Sequence, residues 1–182
     1  MAWNRLVKVP IFLFTFILSW MALTAAAEAP KQDSGWDSWK FLMGEWIGEG
    51  SGTPGQGAGG FTFATDLQGK VLVRRNHADY AATADRPAYS HEDLMIVYQE
   101  PSQPVRAVYF DNEGHVIHYE VTVAKEGNAV TFLSEASATA PRFRFSYVET
   151  APGALAIKFE IAPPGKPDSF STYIEASARR KQ

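Results

Sequence analysis

The stretch Gly44-Glu45-Trp46-Ile47-Gly48-Glu49-Gly50 decides how the rest of the chain is read. It follows a segment with Trp36, Trp39 and Leu42 at spacing three, which predicts a short helix capped by Asp33 or Ser34. After Phe41 the apolar period changes to two and stays there to the end. An indole at the start of the first strand suits a site between core and water, because its one N–H needs a partner. The glycines beside it let that strand bend. Gly44, Trp46, Gly48 and Gly50 therefore read as architecture, with Trp46 plugging the closed end of a barrel.

Downstream, strand patterns fall at 44–50, 59–67, 70–79, 93–100, 104–111, 115–124, 129–135, 141–149, 154–162 and 168–177. Turn chemistry separates them: Leu67-Gln68-Gly69-Lys70, Asp111-Asn112-Glu113-Gly114, Lys125-Glu126-Gly127-Asn128, Pro152-Gly153 and Pro163-Pro164-Gly165. Regular short strands with no helix among them predict an all-β meander. Consecutive hairpins favour an antiparallel up-and-down β-barrel of about ten strands, preceded by a short N-terminal helix, over a Greek-key sandwich. Closure also removes sheet edges. Two connections are long, Gly48 to Gly60 and Ala81 to Glu92, and read either as rim elements gating a pocket or as plain surface loops.

Arg5 and Lys8, an apolar run from Val9 to Leu23 and Ala25-Ala26-Ala27 have the layout of a secretory signal peptide, with a membrane anchor as the alternative. The organisation expected is a signal peptide at 1–27, a tether and short helix at 28–40, and a barrel domain at 41–182, with a secreted or periplasmic location. Without residues 1–27, Lys plus Arg falls from 17 to 15 against 20 acids, a net charge of −5. That balance argues against nucleic-acid binding. The absence of cysteine excludes thiol nucleophiles, thiolate zinc sites and Cys-linked haem.

Alternation assigns faces. Phe143, Phe145 and Tyr147 share one face of their strand, opposite Arg142 and Arg144. Ile117, Tyr119, Val121 and Val123 share another. Polar residues in phase with apolar ones are the candidates for function: Arg75 and His77 with Val71 and Val73, Tyr98 with Leu94 and Ile96, and His115 with Ile117 and Tyr119. A pocket with a few placed polar groups wants such residues, and so does a barrel end where the inward face meets water. The predicted ligand contacts are Arg75, His77, Tyr98, His115, Tyr119, Phe143, Phe145 and Tyr147, with Arg75 suited to a carboxylate. Other motifs fail on context. Gly50-Ser51-Gly52-Thr53-Pro54-Gly55 matches the dinucleotide spacing but precedes a strand, not a helix. His115 and His118 point to opposite faces of a strand and form no shared metal site. No nucleophile elbow or triad pattern is present, so nothing positive supports a hydrolase.

With these residues in hand, the chain resembles the lipocalin-like (calycin) superfamily. The run Phe41 to Gly50 is similar to the opening of uncharacterised bacterial lipocalin-like domains and of nitrobindin-like haem barrels. The resemblance implies that Gly44 and Trp46 match the lipocalin Gly-x-Trp, with Arg179 or Arg180 stacked on the indole. It also implies a small apolar or amphipathic ligand inside the barrel. Nitrobindins use a late His for haem; this chain has none after His118, which leaves only His77 or His115 as substitutes. The expected function is an exported binder of a largely apolar small molecule without a required cofactor. The alternatives are a haem barrel acting on reactive nitrogen or oxygen species, and a filled barrel serving as a structural module.

Overall fold

The computed structural model describes residues 35–49 and 57–182. Expectations for the signal segment, the Asp33 or Ser34 cap and Gly50 fall outside these residues. Ten strands form among them: β1 (Gly44–Glu49), β2 (Gly57–Asp66), β3 (Val71–Tyr80), β4 (Tyr89–Gln99), β5 (Val105–Asp111), β6 (Val116–Val123), β7 (Ala129–Ser134), β8 (Arg142–Ala151), β9 (Ala154–Ala162) and β10 (Ser171–Arg180). Each pairs antiparallel with the next, and β1 pairs with β10 to close the barrel. The fold is therefore the all-β up-and-down barrel expected from strand spacing.

Most strand ends lie within two residues of the sequence reading, and β4 and β10 differ by more. β4 begins at Tyr89, because Tyr80 and Tyr89 stack at 4.6 Å and extend the β3–β4 hairpin. β10 begins at Ser171, and Phe170 lies outside it under the Arg144 guanidinium, 4.1 Å away. The predicted short helix is a single 3₁₀ turn at Asp37–Trp39. It is held at the barrel floor by burial of Trp36, Trp39, Phe41 and Leu42. The Trp36 indole N–H donates to the Gly69 carbonyl at 2.8 Å, tying the turn to the β2–β3 connection.

Trp46 is 2 % exposed and behaves as the plug. Its indole N–H donates to the Leu42 carbonyl at 2.8 Å, and its ring stacks on Phe61. Of the two candidate arginines, Arg180 covers the indole, 4.4 Å from its centre. The Arg180 guanidinium also donates to the carbonyls of Met43 and Phe41. Arg179 instead pairs with Glu49 on the exterior. Gly44 has φ +109, a conformation that favours glycine, where the chain turns into β1. Gly48 pairs with Ala178 of β10. Two glycines of β2 lie close against the neighbouring strands β1 and β3. A Cβ on Gly59 would land on the His77 carbonyl, and one on Gly60 on the Trp46 carbonyl. Gly59 and Gly60 thus serve close backbone approach.

The core is an aromatic network. Phe61, Phe63, Phe132 and Tyr147 are all buried, with edge-to-face and tilted ring pairs from 5.4 to 6.4 Å. Trp39 and Tyr119 join it through Phe132. Leu72, Met95, Val97, Val130 and Leu155 fill the space around these rings.

A buried ion pair and an aromatic mouth

Directly paired strand residues share a face, so the orientation of Trp46 propagates around the barrel. One row reads Trp46, Phe61, Asn76, Asp93, Asp111. The next reads Phe63, Arg74, Met95, Tyr109, Ile117. Both rows face inward, which places an arginine and two aspartates inside the barrel.

Arg74 is 5 % exposed and ion-pairs with Asp93. Asn76 holds the other carboxylate oxygen of Asp93 at 3.0 Å. The guanidinium carbon lies over the Phe61 and Phe145 rings, 5.5 and 5.4 Å from their centres. Burial works against the charge on Arg74, but Asp93, Tyr147 and Tyr109 more than offset it and hold its pKa above the ordinary value. Burial also pushes the hydroxyls of Tyr109, Tyr119 and Tyr147 far above the ordinary tyrosine range, so all three are neutral donors. Arg74 Nε and the Tyr147 hydroxyl are sealed from solvent without a hydrogen bond of good geometry, and the hydroxyl still lies close enough to the guanidinium to favour its charge.

Above this pair a polar chain runs to the rim. His91 Nε2 lies 3.4 Å from Asp93 and 3.2 Å from the Tyr109 hydroxyl, and His91 Nδ1 lies 3.0 Å from Glu113. Tyr109 donates to Asp111 at 3.3 Å. Asp111 accepts from the backbone N–H groups of Glu113 and His115 and from the His115 ring at 2.8 Å, clamping the β5–β6 turn. Burial opposes the Asp111 carboxylate, yet the His115 bonds outweigh it and hold its pKa below the usual value. The hydrogen bond to Asp93 raises the His91 pKa to about 9 against desolvation, with help from Glu113. A raised folded pKa gives stability that is fully present below the unfolded value near 6.5 and lost as pH rises through about 9. The urea midpoint should therefore fall across that window, and His91→Asn should flatten the fall. An NMR titration of the His91 ring with a midpoint near 6.5 would contradict this assignment.

The inward side chains farther from the floor are only half-buried. Phe143, Phe145, Ile157, Phe159, Ile174, Tyr109 and Ile117 line this end, with Phe143 stacked on Phe159 at 5.7 Å. A closed floor, a buried ion pair and half-buried inward aromatics above it are compatible with ligand binding.

Of the expected ligand contacts, Tyr119, Phe143, Phe145 and Tyr147 point inward and the other four do not. Arg75 and His77 are exposed on the outer face, one residue out of phase with the inward Arg74 and Asn76. Tyr98 is half-buried on the outside, paired with Val71 and Arg106, while Met95 and Val97 face in. His115 lies in the β5–β6 turn with a 61 % exposed side chain. The reason is common to β3 and β4: Val71-Leu72-Val73 and Leu94-Met95-Ile96-Val97-Tyr98 are apolar on both faces, so alternation there carries no phase. Walking the register from Trp46 would have supplied it. That walk also finds Arg74, Asn76, His91, Asp93 and Tyr109, which alternation missed.

Arg75 and His77 line an open groove of about 880 Å³ together with Thr62 and Leu94 of the outer face and Phe61, Asn76 and Asp93 of the inward row. His77 is engaged there by Asp79 at 2.9 Å and Glu92 at 3.5 Å. Neither His77 nor His115 reaches the interior, and both ring nitrogens of the inward His91 are already engaged, so these residues do not fit an interior haem. Among the described residues no cluster of three or more His, Asp or Glu could hold a metal ion.

Comparison with known protein families finds no family model that matches the chain, and comparison with curated proteins finds no match. The closed antiparallel ten-strand barrel itself fits a calycin or lipocalin-like fold.

Proposed function

We propose that this chain is an exported, lipocalin-like protein that holds a small, largely apolar molecule in the open half of its barrel. The observation that carries the reading is the ring of half-buried inward aromatics above a sealed floor, with Arg74 at its base. Apolar walls with few placed polar groups are the usual make-up of a small-molecule site. Phe143, Phe145 and Phe159 supply the walls; the Arg74–Asp93 pair and the Tyr109–Asp111 bond supply the polar base. Tyr119 and Tyr147 lie deeper and shape the base. Membership of the lipocalin-like superfamily and export through residues 1–27 belong to the same proposal, supported by the Trp46–Arg180 stack and by the composition of the first segment.

The test is a titration with the neutral fluorescent probe phenylnaphthylamine. Wild type should bind it with a blue shift and one-to-one saturation. Ala176 is half-buried and inward on β10, opposite Ile157 of β9. Ala176→Trp fills the mouth and should weaken binding by about tenfold or more, equal to about 1.4 kcal/mol. Equal binding by wild type and this variant would place the probe elsewhere and defeat the reading.

A further inference from the structure

We infer that the groove on the outer face of β2–β5 is a binding site for a small amphipathic monoanion. Arg75 receives the negative group, and Leu94 and Phe110 receive the apolar body. The site is separate from the barrel interior and does not rest on the reading above.

Cross-strand pairing lays out the row. Thr62, Arg75, Leu94 and Phe110 stand opposite one another in turn on β2, β3, β4 and β5, with Val116 next on β6. Paired residues share a face, so these five side chains run side by side across the exterior. The row is polar at Thr62 and Arg75 and apolar beyond them, ending in Phe110 and Val116, which are 38 % and 56 % exposed. Beside it, Gly60 pairs with His77 and brings no side chain to fill the surface. The groove of about 880 Å³ holds Thr62, Arg75, Leu94 and Phe110 in its lining. That volume falls within the range of small-molecule sites, about 300–1,000 Å³.

Charge decides what such a groove takes. Lys181 is paired with Glu45 at 2.8 Å, and His77 stands between Asp79 and Glu92. Asp93 and Asp111 are matched by Arg74 and His115. Arg75 is the one charged residue of this lining with no ion pair or hydrogen bond from its side chain among the described residues, and it is exposed. A guanidinium presents a planar fork that takes a carboxylate through two hydrogen bonds. Leu94 is the direct neighbour of Arg75, so a body attached to that carboxylate runs over Leu94 towards Phe110. Glu45 and Glu92 line the same groove and oppose further negative charge. One charge on an apolar body is therefore matched, and a polyphosphate is not.

The experiment compares 1-naphthylacetate with its neutral isostere 1-naphthylacetamide, each titrated into the full chain by calorimetry and mapped by backbone amide NMR. Naphthylacetate should bind about tenfold more tightly than the amide. Its shifts should centre on Thr62, Arg75, Leu94 and Phe110. Arg75→Gln should bring the two ligands to equal affinity, and Phe110→Ser should weaken both; each changes an exposed side chain. Ala176→Trp should alter neither. Equal affinity of the two ligands for wild type, or a preference for the anion that survives Arg75→Gln, would overturn the inference. So would loss of naphthylacetate binding in Ala176→Trp, which would put the anion inside the barrel. Failure of phenylnaphthylamine to enter the interior would defeat the interior reading alone and leave this site standing.

Discussion

Arg74→Met is expected to lower unfolding free energy by about 3–5 kcal/mol, among the largest effects of any single substitution in this chain. Methionine matches the volume and keeps the contacts with Phe61 and Phe145, so packing is nearly conserved. What is lost is the counter-ion of Asp93, whose side chain is only 4 % exposed. Asn76 and His91 remain beside that carboxylate, but its closest partner is gone from a dry surrounding, and breaking a buried pair from one side costs several kcal/mol. The double variant Arg74→Met with Asp93→Leu should recover most of the loss, because a buried pair replaced by apolar groups is often neutral. Urea denaturation of the two single variants and the double variant measures the coupling. A single-variant cost under about 1 kcal/mol, with no recovery in the double, would mean that the pair is solvated rather than buried.

Trp46→Ala should cost a similar amount, about 3–5 kcal/mol, by a different route. The indole is the floor of the barrel: stacked on Phe61, bonded to the Leu42 carbonyl and roofed by Arg180. Its removal opens a void and frees Arg180 from one of three restraints. The loss should appear in the thermal midpoint and in faster hydrogen exchange at Trp46, Arg180 and Phe61, whose backbones meet at the β10–β1–β2 junction. Exchange enhanced only at distant strands would argue that Trp46 is not the plug.

The fold was legible because its signals are local. Glycine-bearing turns, period-two alternation from β5 to β9 and the Trp46 run each point to one arrangement, and they agree with one another. The floor was legible for the same reason, down to an arginine near the C-terminus stacking on the indole. Which side chains face the interior was half legible. Phe143, Phe145 and Tyr147 alternate with Arg142, Arg144 and Ser146, so their phase is unambiguous. In β3 the residues Arg74 and Arg75 are adjacent and chemically alike, and the valines on both sides of Leu72 give no basis for choosing between them. That choice is made by pairing with β2, where Phe63 stands opposite Arg74 and Thr62 opposite Arg75. Cross-strand register is non-local information, and a period measured within one strand does not contain it. His115 was misread for another reason. It lies one residue before β6, where the Asp111 clamp and not the pleat sets its direction.

The ladder between β1 and β10 has a consequence for biosynthesis. It joins the first strand of the meander to the last, with Trp46 opposite Arg180. A ribosome extends the chain at about 5–20 residues per second. Until Ser171–Arg180 has emerged, the nine preceding strands can form only an open sheet with β1 and β9 as bare edges. Such edges recruit other chains. Closure over so long a sequence separation is also slow. The vulnerable period of this protein is therefore the interval just before its last strand docks. A truncation that removes β10 should yield aggregates rather than a smaller soluble barrel.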